Sequence, residues 1–571
     1  MSVSSLPFLH GALAAVLPKL AAWRRDFHAH PEAGWTEFRT AALIIRRLRE
    51  LGYAIRMGEA ACASDRRMGV PSSAVLAAAR ERALEHGADA ELVGGMGDGY
   101  TGFWADLDCG PGPVTAFRFD MDCNEVAECA EESHRPVREG FASRWPGLMH
   151  ACGHDGHAAV GLGLAEVLVS IRRHLRGRIR LIFQPAEEGA RGALPMSEAG
   201  AVDGVDVLFG FHIGFKAEGP GSLICGTQGF LATTKRDVLF SGVPAHAGAA
   251  PEEGKDALLA ACSAVVNLHA ISRNGKGGTR IAVGRLEGGE ARNVIPASAR
   301  LFMETRGETT ELDAYMAAES ERILRASADL WGCACEWRTV GNSAGGGSSP
   351  ELARLIATVA EAMGGWKTVI PMSGFGATED FACLMSRVQA SGGLASYLQV
   401  GTDRAAGHHS DRFDFDETCL GRALELLARL AVRMAGGGQE DTETETESDM
   451  EFLDEVVRRK GIHVQLWLEG EDGEGFGRGR VELLQLVDEL GSLSKAAKQL
   501  GMSYRGAWGK IKKAERIAGE TLVDASGTKR DGYSLTPAGR ELVQRFQQWY
   551  ADVESFAKKR AEALFSDFDK E

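Results

Sequence analysis

The 571-residue sequence lacks any apolar run of the length that spans a bilayer, about 20 residues. The apolar N-terminal stretch from Leu6 to Leu20 has no basic residue before it, so it makes a poor signal peptide. Cysteine is sparse, since only 11 residues are scattered along the chain and none follows Cys419. An odd number of scattered thiols is typical of reduced cytosolic proteins rather than of a disulfide framework. The sequence therefore predicts a cytoplasmic protein that does not enter a membrane.

Basic residues are outnumbered, with 64 Lys+Arg against 79 Asp+Glu and a formal net charge of −15. Taken alone this charge argues against nucleic-acid binding, but net charge describes a whole chain and not one surface. Residues 438–451 hold seven acids and no base, and their only large apolar side chain is Met450. Such a segment predicts an extended acidic linker. We therefore expect a large body, residues 1–437, followed by this linker and a small C-terminal domain, residues 452–571.

Within the large body, short apolar runs alternate with helical patterns. The predicted strands are 114–119, 178–183, 205–211 and 396–400, and helix-like stretches include 157–173 and 351–363. Strands that alternate with helices predict an α/β fold with a mixed, mainly parallel sheet covered on both faces. In such a sheet, functional residues collect at the carboxyl ends of the strands.

Cys, His and carboxylate side chains follow several of these runs. The segment HACGHDGH (150–157) opens a helix, QPAEE (184–188) follows one predicted strand, His212 ends another, and His408-His409 follows a third. These are the ligand types of zinc, manganese or a related divalent ion. A lone His212 or Cys152 is more often a packed core residue, and adjacent acids are usually solvated. The joint pattern favours a metal site, because each group comes directly after an apolar run.

Six motifs of the large body resemble one enzyme family. They are WRRDFHAHPE (23–32), RFDMD (118–122), HACGHDGH (150–157), PAEE (185–188), FHIG (211–214) and NVIP (293–296). Together they resemble the hippurate hydrolase-like branch of the aminoacylase/carboxypeptidase metallopeptidases, from about Leu6 to Arg433. The stretch RMGVP (67–71) and the helical insertion after it resemble one branch of that family more closely.

The resemblance implies a centre of two divalent metal ions per subunit, Mn²⁺ or Zn²⁺. Its implied ligands are Cys152, His154, Glu188, His212 and His409, with the Cys152 thiolate as the bridge. His409 is preferred to His408 because of its spacing to the segment FDF (413–415). Glu187 is the implied general base, which deprotonates the attacking water and later protonates the leaving nitrogen. Asp120 and Asp122 are implied to orient the ligands.

A second unit, residues 227–340, interrupts the body, whose catalytic part is then 1–226 with 341–437. Its predicted strands are 235–241, 279–286, 297–305 and 335–339, and its helices 255–271 and 312–327, which fit an α+β sandwich. In the family this unit is a lid and dimerisation domain. The resemblance implies that His246 reaches a partner's active site as an oxyanion donor and that Asn293 and Arg306 contact the substrate carboxylate. As alternatives, Arg306 is a surface strand residue and His246 a turn residue.

The C-terminal domain carries a helix-turn-helix pattern. An alternating strand over 462–468 precedes helices predicted over 480–490, 494–500 and 504–517, with Ser492 as a cap and a turn of three residues between the last two. The last of these helices holds five bases and one acid, namely Arg505, Lys510, Lys512, Lys513, Arg516 and Glu515. A local excess of bases is what contact with DNA phosphates requires.

The segments GSLSKAAK (491–498) and MSYRGAW (502–508) resemble the N-terminal DNA-binding domain of molybdate-responsive transcription regulators. The family's oxyanion-binding domains do not follow, so we do not expect molybdate sensing. The resemblance implies that Ser503, Tyr504, Arg505 and Trp508 begin the recognition helix that contacts base edges of double-stranded DNA. Trp508 is alternatively a core residue.

A wing and a long helix are expected after the recognition helix. Residues 521–525 and 533–535 are predicted to pair as the wing, with Lys529 and Arg530 at its tip. The following helix has apolar residues spaced 4, 3, 4 and 3 apart: Leu542, Phe546, Trp549, Val553 and Phe556. This spacing is typical of a coiled-coil seam, although intramolecular core is the more common use of such a stripe.

These features lead to two functional hypotheses. The first is a metal-dependent hydrolase of N-acyl amino acids, with p-aminobenzoyl-glutamate the preferred substrate, joined to a DNA-binding module. The second is a transcription regulator that uses the hydrolase body as a ligand sensor. The presence of Glu187 beside a complete ligand set favours hydrolysis. We expect a homodimer or a pairing with a related second hydrolase subunit.

Overall fold

The computed structural model describes residues 6–435, 467–469, 475–500, 502–524 and 533–565. The chain divides into two compact units, one within Met1–Val457 and one within Arg458–Glu571. The predicted linker, residues 438–451, lies outside the described residues, so the predicted domain bounds stay predictions. Across the described ranges, no helix combines the length and the apolar character that crossing a membrane requires.

The first unit is built on an eight-stranded sheet with the order β1-β2-β4-β3-β5-β15-β6-β13. Its strands are β1 (Ala54–Met57), β2 (Phe103–Asp108), β3 (Val114–Asp120), β4 (Arg178–Gln184), β5 (Val207–Glu218), β6 (Ser222–Ile224), β13 (Thr368–Ile370) and β15 (Leu394–Thr402). The central strands β4, β3, β5 and β15 are parallel, whereas β1, β2 and β6 pair antiparallel. The expected α/β fold with a mixed, mainly parallel sheet is confirmed.

Helices cover both faces of this sheet. Side chains of β3 alternate between the two cores, since Phe117 packs in one apolar cluster and Ala116 in the other. The helices of this part are α1 (Pro7–Ala29), α2 (Phe38–Glu50), α3 (Ser73–Glu85), α4 (Ala90–Gly95), α5 (Arg135–Arg138), α6 (His154–Ser170), α7 (Ala193–Glu198), α10 (Pro350–Met363), α11 (Phe381–Ala390) and α12 (Thr418–Ala435). Short 3₁₀ turns occupy Gly58–Ala61, Ser64–Arg66 and Arg172–His174.

A separate four-stranded antiparallel sheet forms the lid, with the order β11-β8-β10-β9. Its elements are β8 (Ala232–Ser241), α8 (Ala257–His269), β9 (Thr279–Gly288), β10 (Ser298–Gly307), α9 (Thr310–Leu330) and β11 (Ala334–Ser343), with a 3₁₀ turn at Pro251–Glu253. Val238 and Phe240 of β8 pack with both helices on one face of the sheet. A small sheet, β7 (Thr227–Phe230), β12 (Gly346–Gly347) and β14 (Ser373–Gly374), includes the segments that enter and leave the lid.

The second unit contains a helix-turn-helix. Its elements are β16 (Trp467–Glu469), β17 (Gly475–Gly477), α13 (Arg478–Leu490), α14 (Leu493–Gln499), α15 (Tyr504–Ala518), β18 (Val523–Asp524), β19 (Ser534–Leu535) and α16 (Pro537–Phe565). Gly491, at φ +59°, ends α13 in a conformation that favours glycine, and Ser492 then caps α14. Ser503 caps α15 by accepting a hydrogen bond from the Gly506 N–H at 3.1 Å. The caps therefore define the turn between the two helices.

Two expectations about strands are wrong in detail. His212 does not end a strand, because β5 continues to Glu218 and pairs with β15 on both sides of His212. A register shift, with positive φ at Gly214 and Phe215, accommodates the extra residues. Leu468, expected on a buried face, is 41% exposed, whereas its partner across the β16–β17 pair, Phe476, is fully buried. The rest of the strand predicted over 462–468 lies outside the described residues, apart from Trp467.

Candidate active site

The candidate active site lies at the carboxyl ends of the central parallel strands. β3 ends at Asp120, which pairs in register with Gln184 at the end of β4, and the loop after β4 carries Glu187 and Glu188. β5 contributes His212, opposite Gln399 of β15. The helix α6 begins at His154, after Cys152 and a left-handed Gly153. The sheet therefore brings together side chains that are far apart in the sequence.

The five predicted metal ligands converge in this region. One group of potential ligand atoms, those of Cys152, Glu188 and His409, lies within 4.8 Å of one another. A second group under the same limit joins His154, Glu187 and Glu188. His212 Nε2 lies 3.4 Å from the Cys152 sulfur. Glu188 belongs to both groups, so two ion positions share it.

Hydrogen bonds orient the buried imidazoles. His212 Nδ1 donates to the backbone oxygen of Ile213 at 2.9 Å, and His154 Nδ1 donates to the backbone oxygen of Asp122 at 2.9 Å. In both residues this leaves Nε2 as the free nitrogen that faces the site. Asp122 also accepts a hydrogen bond at 3.0 Å from the Glu188 N–H.

Two buried atoms at the centre fit a bound cation. His154 Nε2 and Glu188 Oε1 lie 3.8 Å apart, and neither has a hydrogen-bond partner among the described residues. Unpaired buried polar atoms are costly unless an ion or another group satisfies them. Burial opposes a charge on His154, yet Asp120 and Asp122 raise its pKa to about 10. The pocket thus stabilises positive charge and offers Cys, His and carboxylate donors, the set that suits zinc or manganese.

His408 and His409 are distinguished by their partners. Arg404 donates to His408 Nδ1 at 2.8 Å, and His408 Nε2 donates to the backbone oxygen of Ile213 at 3.2 Å. Both nitrogens of His408 are therefore engaged, and burial lowers its pKa to about 4. His409 has a left-handed φ of +64° and places Nε2 3.3 Å from Glu188 Oε2. This geometry favours His409 as the ligand, as the sequence predicts.

Glu187 lies at the edge of the same pocket. Its Oε2 is 3.9 Å from His154 Nε2. Burial, and then the neighbouring carboxylates Glu379 and Glu188, raise the pKa of the Glu187 carboxyl well above its usual range. A carboxylate with a raised pKa beside a metal pocket is suited to accept a proton near neutral pH.

Asp120 and Asp122 have different partners. Asp120 accepts a hydrogen bond from His157 Nδ1 at 2.6 Å and pairs with Arg118, and His157 Nε2 in turn accepts from the Ile213 N–H at 2.9 Å. Asp122 holds His154 and the Glu188 backbone instead. Both aspartates therefore contact residues of the site, as predicted, and their roles stay predictions.

Sequence reasoning missed a buried charge cluster behind Glu187. Arg118 Nη2 donates to Glu379 Oε1 at 3.0 Å and to Asp380 Oδ1 at 3.3 Å, and the Tyr397 hydroxyl donates to Glu379 Oε2 at 2.6 Å. A carboxylate oxygen of Glu187 lies within 4.8 Å of those of Glu379 and Asp380. The signal that could have revealed the cluster is a pair of acids directly before the apolar start of α11, where a solvated pair is unexpected.

The three predicted lid residues do not come together within one chain. His246 and Asn293 are exposed and adjacent, since His246 pairs with Val294 and the Ala247 N–H donates to the Asn293 oxygen at 3.1 Å. Arg306 lies towards the other end of the lid sheet, opposite Thr233 of β8. Its Nε donates to Glu304 Oε1 at 2.8 Å. The joint contact predicted for Asn293 and Arg306 is thus not formed within one chain.

The predicted DNA-contacting residues fall on α15 and around it. Tyr504, Arg505 and Lys510 are exposed, and the Tyr504 hydroxyl lies 2.9 Å from that of Tyr533 near β19. Lys512 pairs with Glu515 at 2.7 Å and its amine lies 4.7 Å from the centre of the Trp508 ring. Ser503 is exposed and caps the helix, and Lys513 and Trp508 are half-buried. Trp508 packs against the core of this unit, as its alternative interpretation expects. Lys529 and Arg530 lie outside the described residues.

Two family models match the sequence. The model of peptidase family M20/M25/M40 matches residues 116–433. The model of the bacterial regulatory helix-turn-helix protein, lysR family, matches residues 479–540. The helix-turn-helix is thus of the LysR type, and the similarity to molybdate-responsive regulators stays a prediction.

Two related hydrolases align with the first unit over nearly their whole length. The chain is 45% identical to one component of the p-aminobenzoyl-glutamate hydrolase of Escherichia coli strain K12 over 420 residues, which is 73% of this chain and 96% of the relative. It is 44% identical to the indole-3-acetyl-aspartic acid hydrolase of Enterobacter agglomerans over 429 residues, 75% of this chain and 98% of that relative.

Solved structures agree with this relationship. An aminobenzoyl-glutamate utilization protein from Klebsiella pneumoniae is 40% identical with a TM-score of 0.65, covering 74% of this chain and 98% of its own. A dinuclear metal-binding peptidase of the M20 family from Bacillus subtilis is 25% identical with a TM-score of 0.51, covering 73% and 98%. The chain therefore belongs to peptidase family M20/M25/M40, whose members hydrolyse C–N bonds, and it carries a LysR-type helix-turn-helix in its C-terminal region.

Proposed function

We propose that the chain hydrolyses the amide bond of an aryl-acyl amino acid at a dinuclear metal centre, with p-aminobenzoyl-glutamate as the preferred substrate. The observation that carries this proposal is the position of Glu187, 3.9 Å from the unpartnered Nε2 of His154 and next to Glu188. A base lies there beside a pocket that holds every donor of a two-ion site. The substrates of the two related hydrolases, p-aminobenzoyl-glutamate and indole-3-acetyl-aspartic acid, share an aromatic acyl group and an acidic amino acid.

In this proposal Cys152, His154, Glu188, His212 and His409 hold the two ions, with Cys152 as the bridge. When bound, a divalent pair of this kind lowers the pKa of water and polarises the scissile carbonyl. Glu187 accepts the proton of the attacking water and delivers it to the nitrogen that leaves as the amine. Asp122 keeps the His154 ring and the Glu188 backbone in place, and Asp120 holds His157 against β5.

An aromatic surface next to the metal pocket supports an aryl-acyl group. The half-buried ring of Phe215 lies 5.4 Å from the ring of His212 and stacks at 4.6 Å on Phe375. The positive φ of Phe215, +63°, aims this side chain from the irregular end of β5. Offset aromatic contacts of this type stabilise a bound aryl ring.

The lid residues His246 and Asn293 are proposed to act in the site of a partner subunit. Both are exposed in the single chain and lie together at one end of the lid sheet. A homodimer or a pair with a related subunit would supply them as a donor to the developing oxyanion and a contact to the substrate. Arg306 is proposed to bind the α-carboxylate within its own chain.

The test of this function is hydrolysis of a panel of N-acyl amino acids by chelated protein, with manganese or zinc added back. We expect p-aminobenzoyl-glutamate to be cleaved to p-aminobenzoate and glutamate only when metal is restored. Matched substrates with an aliphatic acyl group control for the aromatic surface. Absence of cleavage across the panel with either metal would refute the proposed function.

A second function, DNA-dependent regulation, is favoured by the C-terminal unit. Its recognition helix α15 presents Tyr504, Arg505 and Lys510 to solvent, and its caps are those of a helix-turn-helix. We propose that the unit binds double-stranded DNA and that the hydrolase unit reports substrate to it. Binding of the full chain to duplex DNA, with and without substrate, tests this. Indifference to duplex DNA at low salt would leave the unit as a dimerisation module.

A further inference from the structure

Lysine and arginine side chains surround the loop that carries Glu187. Lys235 lies on β8, directly opposite Glu304 of β10 and Gly341 of β11. A Cβ added at Gly341 would lie 2.3 Å from the backbone oxygen of Gly189 and 3.2 Å from Lys235 Cδ. The Asn342 N–H, next in the chain, donates to the backbone oxygen of Ala190 at 2.8 Å. The Lys235 side chain therefore runs past Gly341 towards the loop that directly follows Glu187 and Glu188.

These cations have too few protein partners. Lys235 is half-buried, and its amine makes no hydrogen bond or ion pair with any residue that the structure describes. Arg306 uses Nε for its bond to Glu304, and Arg191 donates from Nη1 to the Gly69 backbone oxygen at 3.4 Å while its Nε has no described partner. Within the described ranges, three cations thus share one carboxylate outside the proposed metal centre, Glu304. Half-buried cations without a partner are unfavourable unless a ligand neutralises them.

Electrostatics places the Lys235 amine beside the active site. Burial lowers the pKa of Lys235, Arg191 and Arg306 lower it further, and Glu304 and Glu187 oppose that decrease. Lys235 likewise opposes the rise that Glu188 causes in the pKa of His409. The amine therefore interacts with residues on both sides of the proposed reaction centre, from a strand of the lid.

We propose that Lys235, assisted by Arg191, binds the side-chain carboxylate of an acidic amino acid in the substrate. The inference rests on the proposed hydrolysis at Glu187 and adds the residue that selects a dicarboxylic leaving group. Arg306 keeps its terminal nitrogens for the α-carboxylate, since only its Nε is bonded to Glu304. A substrate with two carboxylates then neutralises the cations that the protein leaves unbalanced, whereas a neutral side chain leaves Lys235 unpaired.

The test compares p-aminobenzoyl-glutamate with p-aminobenzoyl-glutamine, which has the same shape and no side-chain charge. We expect the wild type to prefer the glutamate substrate in kcat/KM, and Lys235→Met to reduce that preference about 10- to 100-fold, mainly through KM. Lys235→Arg should restore part of it, and Arg191→Gln should reduce it less. Lys276→Met, on an exposed turn of the lid, is the matched control and should leave the ratio unchanged. The ratio is internal to each protein, so partial loss of folded enzyme does not affect it.

The outcomes separate this inference from the proposed function. If Lys235→Met lowers both substrates equally, or changes neither, the subsite is refuted while hydrolysis stands. If the wild type cleaves both substrates equally well, the subsite is likewise refuted. If no N-acyl amino acid is cleaved, the proposed function fails. Titration of both compounds into metal-loaded Glu187→Gln protein then decides the subsite by itself, because Lys235→Met in that background must reduce glutamate-compound affinity selectively for the subsite to stand.

Discussion

His154 Nε2 and Glu188 Oε1 face each other at 3.8 Å, and neither has a hydrogen-bond partner in the described part of the chain. The two atoms come from different elements, the first turn of α6 and the loop after β4. Backbone contacts fix both, since His154 donates to Asp122 and the Glu188 N–H donates to the Asp122 side chain. A rigid pair of unsatisfied donor atoms is the arrangement that a metal ion completes.

The two adjacent histidines provide a test of ligand assignment. His409→Ala should reduce the metal content of the purified protein and remove most of the thermal stabilisation by added Mn²⁺ or Zn²⁺, about 3 kcal/mol at a hundredfold excess over Kd. His408→Ala should keep the metal, because both nitrogens of His408 already bond to Arg404 and Ile213. Elemental analysis and thermal unfolding with and without chelator measure this. The assignment is wrong if His408→Ala loses the metal and His409→Ala keeps it.

The charge cluster behind Glu187 sets the pH dependence. Burial is the largest influence that raises the pKa of Glu187, and Glu379 is the next. Glu379→Gln removes one negative charge, so the pKa of Glu187 should fall. Because the base acts in its ionised form, the acidic limb of kcat/KM against pH should then move to lower pH, by about one unit.

A pH profile of the metal-loaded variant measures the effect of Glu379→Gln. Glu81→Gln, an exposed residue of α3, is the control that removes the same charge far from the site. An acidic limb that stays in place, or moves to higher pH, would contradict the role given to Glu379.

The recognition helix makes a graded prediction for DNA affinity. Arg505 is exposed and forms no ion pair with a described residue, whereas Lys512 is held by Glu515 at 2.7 Å. Arg505→Ala should therefore weaken duplex binding more than Lys512→Ala, and should reduce the salt dependence by about one phosphate contact. Arg354→Ala, an exposed change on α10, is the control. Equal effects of all three substitutions would count against recognition through α15.

The long helix α16 separates core from surface. Phe546 is 4% exposed and packs against Phe476, whereas Phe556 is 70% exposed. Phe546→Ala should destabilise the C-terminal unit by about 3–5 kcal/mol. Phe556→Ala should change stability by less than about 0.5 kcal/mol. If the stripe forms a seam between two chains, Phe556→Ala should also weaken self-association, as measured by sedimentation. A monomeric wild type would leave the stripe without that role.

The fold is largely predictable because its strands are buried and short. The sequence locates β3, β4 and β15 within a few residues, since apolar stretches bounded by polar residues indicate strands in a covered sheet. It misplaces the end of β5 because a strand that continues through an irregular, left-handed segment has no apolar signature there. Ser492 and Ser503 are informative because helix caps require particular side chains.

The candidate site is predictable where ligand chemistry is local, and not where it depends on packing. Cys152, His154, Glu187 and Glu188 stand in dense motifs, so their grouping follows from the sequence. Glu379 lies 261 residues from Arg118, its ion-pair partner, and only the fold joins them. Lys235 sits in an alternating strand, where a lysine is ordinarily a solvent-facing residue, so its neighbourhood is not foreseeable.

The central claim, that Glu187 is the base and Glu188 a metal ligand, is tested most directly by comparing Glu187→Gln with Glu188→Gln. Both substitutions remove one charge at adjacent positions of the same loop. We expect Glu187→Gln to retain two ions per chain and bind substrate while kcat falls about 10²- to 10⁴-fold. Glu188→Gln should lose metal. Full turnover in Glu187→Gln protein, or loss of metal from it with retention by Glu188→Gln, would contradict the account.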